Sequence, residues 1–285
     1  MTHNPDDSEP SSRRAGSLDE FETAFDPRAY LDQYFTEIDE EDYFTTRFLT
    51  STLSKLPRNL LTLEFGGGPV LSTVAALARR SREIHFSDYV RANLEEVRRW
   101  LDRAPNAFDW RPQIEVVLEL EGGPTSPAAV ARREALMRRR ISRLLYCDAT
   151  ANAPLGAETI QYDLVSAQFC TDVAVETVPE WFQAIRNVDT LVRPGGWLMI
   201  GVITGTASYM IAEKAFPHAD LTADDVRRAY LDNGYDPASL VLETLSVAGK
   251  PRDYSGLVMA VGRKGSRSAS QPVSKRTYKL KTLRC

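Results

Sequence analysis

Short apolar runs alternate with longer segments of helical periodicity through the middle of the chain. The runs that favour β-strands cover residues 60–65, 83–87, 143–147, 162–167 and 196–202. Between these runs apolar residues recur at helical spacing, for example at Leu94, Val97 and Leu101. This alternation is typical of a doubly wound α/β fold, in which helices cover both faces of a mostly parallel sheet.

Two more apolar runs, 240–247 and 257–261, follow on either side of a loop that contains Gly and Pro. They predict an antiparallel pair that completes a seven-stranded, mostly parallel sheet with an antiparallel last strand. A helix is predicted ahead of this pair. The Thr222 hydroxyl would cap the amide of Asp225 at its start, and Gly234 would end it.

The two ends of the chain differ in composition from its middle. Residues 1–24 are rich in Ser, Asp, Glu and Arg, and residues 265–285 carry basic but no acidic side chains. Such segments have few apolar side chains to bury, so we expect both to be disordered tails. A single domain is therefore expected over residues 25–264.

Composition narrows the possible partners. The chain has 285 residues, of which 43% are hydrophobic, and a net charge of -4; this favours a soluble globular protein and disfavours nucleic acid as a partner. No apolar run approaches the roughly 20 residues that span a bilayer, and residues 1–10 are polar and acidic, unlike a signal peptide. We expect a cytoplasmic monomer without a membrane partner. The Cys and His residues are scattered without a Cys-x-x-Cys pair, so no metal site is expected.

A glycine-rich turn follows the first predicted strand. The segment Glu64-Phe65-Gly66-Gly67-Gly68-Pro69 precedes a helical pattern, and glycines allow both a tight turn and a ligand lying against bare backbone. Asp88 ends the second predicted strand, 20 residues after Gly68, where a carboxylate can accept hydrogen bonds from both ribose hydroxyls of a nucleoside. Together these features predict a nucleoside pocket.

The missing motifs indicate which nucleoside. A dinucleotide fingerprint would need a third glycine where Leu71 stands, and no phosphate-binding Gly-x-x-x-x-Gly-Lys-Ser/Thr segment is present. Asp148, near the end of the third predicted strand, can accept a hydrogen bond from an adenine amine. These residues favour S-adenosylmethionine over a cofactor that carries phosphates.

Several separated motifs also match one family in the right order. They are residues 25–35 (FDPRAYLDQYF), the turn at 66–69, Ser87-Asp88-Tyr89 with Asn93, residues 105–110 (PNAFDW), 118–122 (LELEG), Cys147-Asp148, 166–170 (SAQFC), 184–187 (AIRN) and 193–196 (RPGG). From about Phe25 to Lys264 the chain resembles the nicotinamide, phenylethanolamine and thioether methyltransferases. The segment Ala107-Phe108-Asp109-Trp110 is the most specific, since it lies in an insertion that a generic methyltransferase lacks.

The resemblance implies a class I methyltransferase fold with an N-terminal helical lid and assigns cofactor contacts. The hydroxyls of Tyr30 and Tyr34 would reach the methionine carboxylate, Asp88 would hold the ribose, and Ala167 would lie under the sulfonium-bearing chain. The cofactor residues expected in all are Tyr30, Tyr34, Phe35, Glu64, Gly66, Gly67, Gly68, Asp88, Tyr89, Asn93, Asp148, Ala149 and Ala167.

The acceptor side departs from the family. Methyl transfer needs an aligned lone pair and exclusion of water, without a metal. Amine-methylating relatives carry acids just after the fifth strand, and residues 202–209 contain none. The candidate catalytic residues are Tyr34 and Asp172, of which Asp172 would orient an amine or take its proton. The candidate contacts to the acceptor are Asp172, Thr206, Tyr209 and Asp253.

These features predict a small-molecule N-methyltransferase that methylates an amine or a heteroaromatic nitrogen and whose acceptor is neither nicotinamide nor noradrenaline. S- or O-methyl transfer, an NAD-linked oxidoreductase and a catalytically silent cofactor-binding protein remain as alternatives.

Overall fold

The computed structural model describes residues 22–211, 214–247 and 253–266. Apart from residues 22–24 and 265–266, the two predicted tails lie outside these ranges.

Helices and strands alternate along the described chain. The helices are α1 (Pro27–Tyr34), α2 (Glu40–Lys55), α3 (Ser72–Leu77), α4 (Arg91–Leu101), α5 (Arg111–Leu120), α6 (Pro127–Arg140), α7 (Val178–Asp189) and α8 (Ala223–Asp232). The strands are β1 (Leu60–Phe65), β2 (Ser81–Asp88), β3 (Ile141–Tyr146), β4 (Tyr162–Gln168), β5 (Val192–Thr204), β6 (Ser208–Ile211), β7 (Lys214–Pro217), β8 (Val241–Ser246) and β9 (Gly256–Arg263).

Seven strands form one sheet in the order β3-β2-β1-β4-β5-β9-β8. Strands β1 to β5 are parallel, and β9 runs antiparallel between β5 and β8. This confirms the predicted sheet and its antiparallel closing pair. Because the strand order reverses between β1 and β4, their carboxyl ends leave a crevice where doubly wound folds bind ligands.

Strand β5 is longer than predicted, since it begins at Val192 rather than near residue 196. Its first residues include Pro194 and Gly195, which normally interrupt strands. Here the register against β4 shifts between Tyr162 and Leu164, and Gly195 has a φ of 73°. This shift in register lets Pro194 and Gly195, which the sequence pattern assigns to a turn, lie within the strand.

A short hairpin, β6–β7, was not predicted. Its strands form a separate two-stranded sheet after β5. Each strand has only four residues, too few to show a clear alternation of apolar and polar side chains. The hairpin contacts the lid, because the Tyr34 hydroxyl donates to the Met210 carbonyl at 2.7 Å.

The core is divided between the two faces of the sheet. Side chains of α2 to α6, including Phe48, Val74 and Ile114, are buried against one face, and those of α7 and α8, including Trp181 and Tyr230, against the other. This two-sided burial is why the strands of the sheet are apolar along most of their length.

Local signals within the helices are partly as predicted. Thr222 caps α8 by accepting a hydrogen bond from the amide of Asp225. The Arg-rich helix α6 is not only a solvated surface. Arg133 is buried and donates to Glu121 and to the Ala75 carbonyl, both at 2.5 Å.

No helix in the described part of the chain is long and apolar enough to cross a membrane.

Candidate active site

A central cavity of about 580 Å³ lies at the carboxyl ends of β1, β2, β4 and β5. Helix α1 and the start of α2 cover it on one side, and Tyr209 of the hairpin and Tyr254 before β9 line another. Its volume is within the range of small-molecule sites. Strand ends and loops therefore supply most of its side chains.

The glycine turn forms the floor of the cavity after β1. Gly66 and Gly68 have φ values of 63° and 61°, which L side chains rarely adopt. A Cβ on Gly66 would lie 2.6 Å from the Cβ of Cys170, and one on Gly67 would lie 2.5 Å from the ring of Phe86. Glycine is therefore needed at both positions, because a side chain there would collide with Cys170 or Phe86.

Asp88 is held at the end of β2 by three donors. Oδ2 accepts from the Gly68 amide at 2.7 Å, and Oδ1 accepts from the Val90 amide at 2.8 Å and from Nδ2 of Asn93 at 2.9 Å. Burial raises the pKa of Asp88, while these hydrogen bonds act in the opposite direction. The buried Oδ1 of Asn93 has no hydrogen-bond partner among the described residues. Acceptor oxygens held in this way suit the hydroxyls of a ribose.

Glu64 points its carboxyl group into the cavity beside the glycine turn. The side chain is buried, and Oε2 has no hydrogen-bond partner within the described chain. Burial raises the pKa of Glu64 to about 8, although a hydrogen bond to Ser166 lowers it. A cationic ligand group nearby would favour its ionised form.

Four more of the residues expected at the cofactor line the cavity beyond β2 and β3. Asp148, Ala149, Tyr89 and Asn93 all line it. Oδ1 of Asp148 accepts hydrogen bonds from the amide and hydroxyl of Thr150, at 2.8 and 2.6 Å. Nδ2 of Asn187 donates to the Ala149 carbonyl at 3.0 Å and so fixes this loop.

Helix α1 places three aromatic side chains over the cavity. The ring centroid of Tyr30 lies 5.1 Å from that of Tyr34 and 5.8 Å from that of Phe35, and all three residues line the cavity. Burial raises the pKa of Tyr30. The helix begins where Asp26 accepts hydrogen bonds from the Arg28 and Ala29 amides. The predicted lid is therefore folded over the site.

Three of the predicted side chains are not part of the cavity wall. Ala167 is fully buried in the core beneath α7, and the residues that follow it, Gln168, Phe169 and Cys170, line the cavity instead. Thr206 Oγ1 donates to the Ser208 carbonyl at 2.5 Å. The third is Asp172. Of the stretch 202–209, only Ile203 and Tyr209 line the cavity, and neither side chain is acidic.

Asp172 lies directly behind the cavity wall. Its side chain is 0% exposed, and Oδ2 accepts from the Ile203 amide and from Nε2 of His218, each at 2.9 Å. Its neighbours Cys170 and Val173, and its partner Ile203, line the cavity. Oδ1 has no hydrogen-bond partner among the described residues.

Sequence reasoning missed a group of acids at the lid end. Glu37, Asp39, Glu41 and Asp42, around the start of α2, line the cavity with the predicted Asp253. The Tyr254 hydroxyl donates to Glu41 in a short hydrogen bond. The run of acids at 39–42, which forms a capping box, was the available signal. No Lys, Arg or His is among the described residues that line the cavity, so its potential favours cationic ligands.

The strand order, the glycine turn after β1 and the carboxylate at the end of β2 define the class I S-adenosylmethionine-dependent methyltransferases. A solved structure of magnesium protoporphyrin IX methyltransferase from Synechocystis, crystallised with S-adenosylmethionine, has the same fold. The TM-score is 0.51 and the identity 15%, over 85% of this chain and 93% of that chain.

The model of the NNMT/PNMT/TEMT family matches residues 15–265, and the chain belongs to this family. It is 30% identical to human nicotinamide N-methyltransferase over 259 residues, which covers 88% of this chain and 97% of that protein. It is also 30% identical to rabbit indolethylamine N-methyltransferase over 254 residues, covering 86% and 95%. The chain is thus an S-adenosylmethionine-dependent N-methyltransferase of small molecules, as predicted, and the NAD-linked alternative is set aside.

Proposed function

We propose that the acceptor is a small amine-bearing molecule that differs from nicotinamide and noradrenaline and is methylated on nitrogen. The observation that carries this proposal is the charge of the cavity: its described lining includes Glu37, Glu41, Asp42 and Asp253 but no basic side chain. A cavity of one sign concentrates ligands of the opposite sign, and most aliphatic amines are cationic near neutral pH.

The cofactor contacts belong to the same proposal. S-adenosylmethionine supplies an activated methyl carbon when bound. Gly66 and Gly68 then approach its methionine part, Asp88 accepts from its ribose hydroxyls, and Asp148 with the Ala149 amide meets its adenine. Tyr30, Tyr34 and Phe35 close over it and exclude water. The unpartnered oxygens of Glu64 and Asn93 and the bare glycine turn fit such a ligand.

Asp172 and Tyr209 are proposed to handle the acceptor. A cationic amine must lose a proton before its lone pair can attack, and the unpartnered Oδ1 of Asp172 is a suitable proton acceptor. Bound S-adenosylmethionine would supply the methyl group, with the electron pair of the broken carbon–sulfur bond left on sulfur, and Asp172 would receive the proton of the amine. Tyr209 would stack against the acceptor, since it lines the cavity and is supported by Phe216 at a centroid distance of 5.5 Å.

The exclusion of nicotinamide rests on the departure after β5. By the family resemblance, vertebrate members that methylate amines carry acids just after the fifth strand, whereas in this chain residues 202–209 contain no acid, and Ile203 and Tyr209 line the cavity. The acids of this chain reach the cavity from α2 and from the loop before β9 instead. We infer that an acceptor binds in a different orientation from that of the relatives.

A labelled-methyl screen tests the proposed acceptor. Small amines, pyridines, thioethers and phenols are incubated with the protein and labelled S-adenosylmethionine, and products are identified by mass spectrometry. We expect the highest turnover with an amine, and turnover of nicotinamide and noradrenaline near the background. Efficient methylation of either, or a thioether or phenol as the best acceptor, would contradict the proposal.

Three finer expectations accompany it. We infer a monomer, which sedimentation velocity tests, a cytoplasmic location, which cell fractionation tests, and no nucleic-acid partner, which a filter-binding assay tests.

A further inference from the structure

Asp172 and His218 form an isolated pair beneath the acceptor end of the cavity. They lie 46 residues apart in the sequence, one after β4 and the other after β7, yet Nε2 of His218 is 2.9 Å from Oδ2 of Asp172. Both side chains are 0% exposed. Neither sequence motifs nor the family resemblance pointed to His218.

The ionisation of His218 depends on Asp172 and on the groups around the pair. Burial by itself lowers the pKa of His218, but the hydrogen bond and charge of Asp172, together with hydrogen bonds to the backbone of Thr206 and Ala219, outweigh it and raise the pKa. The ionisable groups that feel the Asp172 charge are Tyr30 on α1, Cys170 after β4 and Tyr209 on β6. Burial raises the pKa of each, so all three are neutral near pH 7.

The two oxygens of Asp172 have different surroundings. Oδ2 accepts from the Ile203 amide and from His218, whereas Oδ1 is buried without a hydrogen-bond partner among the described residues. A buried polar atom left without a partner is costly. A donor on a bound ligand would satisfy this atom.

Backbone hydrogen bonds also join the segment after β7 to the segments after β4 and β5. The Ala219 amide donates to the Asp172 carbonyl at 2.9 Å, and the His218 amide donates to the Ala207 carbonyl at 3.1 Å. His218 therefore links the end of β4 to the hairpin that carries Tyr209. Rotation of the Asp172 carboxylate would break the contact with His218, so the histidine restricts it to one orientation.

We propose that His218 is a positioning residue for methyl transfer, which holds the Asp172 carboxylate so that Oδ1 remains available to the acceptor nitrogen. The inference rests on the proposed function, in which Asp172 contacts the acceptor. His218 does not touch the acceptor and acts only through Asp172. Groups that orient a catalytic side chain in this way contribute because small displacements of reacting groups are costly.

Four variants test this role: His218→Leu, His218→Gln, Asp172→Asn and the double variant His218→Leu/Asp172→Asn. Their kcat/KM is measured with the amine that the wild type methylates best. His218→Leu should lower kcat/KM about 100-fold, whereas His218→Gln, which keeps a donor near the position of Nε2, should recover most of the loss. Because His218 acts through Asp172, the double variant should be no slower than Asp172→Asn alone.

Two controls separate positioning from general damage. Affinity for S-adenosylhomocysteine, measured by calorimetry, should be unchanged in the four variants. His85→Gln is the matched substitution, since His85 is also buried and bonded to Tyr162 at 2.9 Å and to Glu83 at 3.1 Å but does not line the cavity. It should leave kcat/KM within about twofold of the wild type.

Histidine ¹⁵N NMR adds a readout that does not need an acceptor. The chain has only three histidines, so His218→Gln identifies the His218 signal. Its pKa should be raised in the wild type and should fall below the ordinary value in Asp172→Asn, since the carboxylate charge is lost while burial remains.

The outcomes distinguish the two proposals. Full activity of His218→Leu, losses that multiply in the double variant, or a His218 pKa that does not respond to Asp172→Asn would overturn the positioning role and leave the proposed function intact. Full activity of Asp172→Asn would instead overturn the role of Asp172 in the proposed function.

Discussion

Burial controls the ionisation of the carboxyl groups around the cavity. Asp88 is held by three hydrogen-bond donors that favour its charged form, although burial raises its pKa. Glu64 has less compensation, and its pKa rises to about 8. Burial thus raises the pKa of both carboxyl groups, and three hydrogen bonds oppose this effect at Asp88 whereas one side-chain hydrogen bond opposes it at Glu64.

Asp88→Ala should weaken the binding of S-adenosylmethionine. Loss of an acceptor for the ribose hydroxyls should cost on the order of 1.5–3 kcal/mol for each charged hydrogen bond. Titration calorimetry of the folded variant measures the change. Asp102, an exposed residue directly after α4, provides the matched substitution. Asp102→Ala should bind S-adenosylmethionine as tightly as the wild type. Wild-type affinity in Asp88→Ala would remove Asp88 from the cofactor site.

Binding of S-adenosylmethionine should release a proton from Glu64 at pH 7. The pKa of about 8 means that Glu64 is mostly protonated in the free protein, and a cationic ligand group beside it would lower that pKa. Affinity should therefore increase as pH rises from 6 towards 8. Calorimetry in two buffers with different ionisation enthalpies measures the released protons, and Glu64→Gln should abolish the release. Equal release from both proteins would assign the proton to another group.

The same pKa shift affects stability. The folded-state pKa of Glu64 is raised from 4.5 to about 8, so the folded protein holds a proton that the unfolded chain has lost between these values. Stability from this group is present below the lower value and decreases as pH rises through the interval. Glu64→Gln should lack this decrease.

The elements that cover the cavity contact one another and the domain beneath them. Helix α1 contacts the hairpin through the Tyr34 hydroxyl and the Met210 carbonyl, and the Arg28 guanidinium reaches Glu96 at 2.9 Å. The hairpin forms no part of the seven-stranded sheet. Leu31 of α1 is fully buried in the core, so opening of α1 exposes this side chain, and a ligand that holds the helix in place should make opening less frequent.

Hydrogen exchange over residues 25–44 should slow when S-adenosylhomocysteine is added. The ligand would give Tyr30, Tyr34 and Phe35 an additional surface to pack against, so opening of α1 becomes less frequent. Mass spectrometry of peptides with and without ligand measures the effect. Peptides from α7, on the other side of the sheet, serve as the internal reference. Equal exchange in both samples would exclude lid closure over the cofactor.

At the scale of the whole molecule, the sheet brings distant segments to one edge. The glycine turn, Asp88 and Asp148 follow three successive strands, and the parallel arrangement places their ends together. Helices on both faces make the sheet a rigid base for these groups. The acceptor end depends instead on α2, the hairpin and the loop before β9. These segments are far apart in the sequence and pack together only in the folded chain.

The strands, the glycine turn and most of the cofactor side were accessible from the sequence because each depends on local signals. Apolar periodicity predicts a strand or helix, and a positive φ at Gly66 and Gly68 requires glycine wherever the turn forms. The ends of successive parallel strands then meet by topology. Motif order supplied the family, which the comparison confirmed.

The acceptor end was decided by tertiary structure. Thr206 and Ala167 lie at expected places in the sequence, but the hydroxyl of Thr206 bonds to a neighbouring carbonyl and Ala167 faces the core. Glu41 meets Tyr254, and Asp172 meets His218, across large separations in the chain. Which of these side chains meet is determined by how α2, the hairpin and the loops pack on the sheet, and no periodic pattern or short motif encodes that packing.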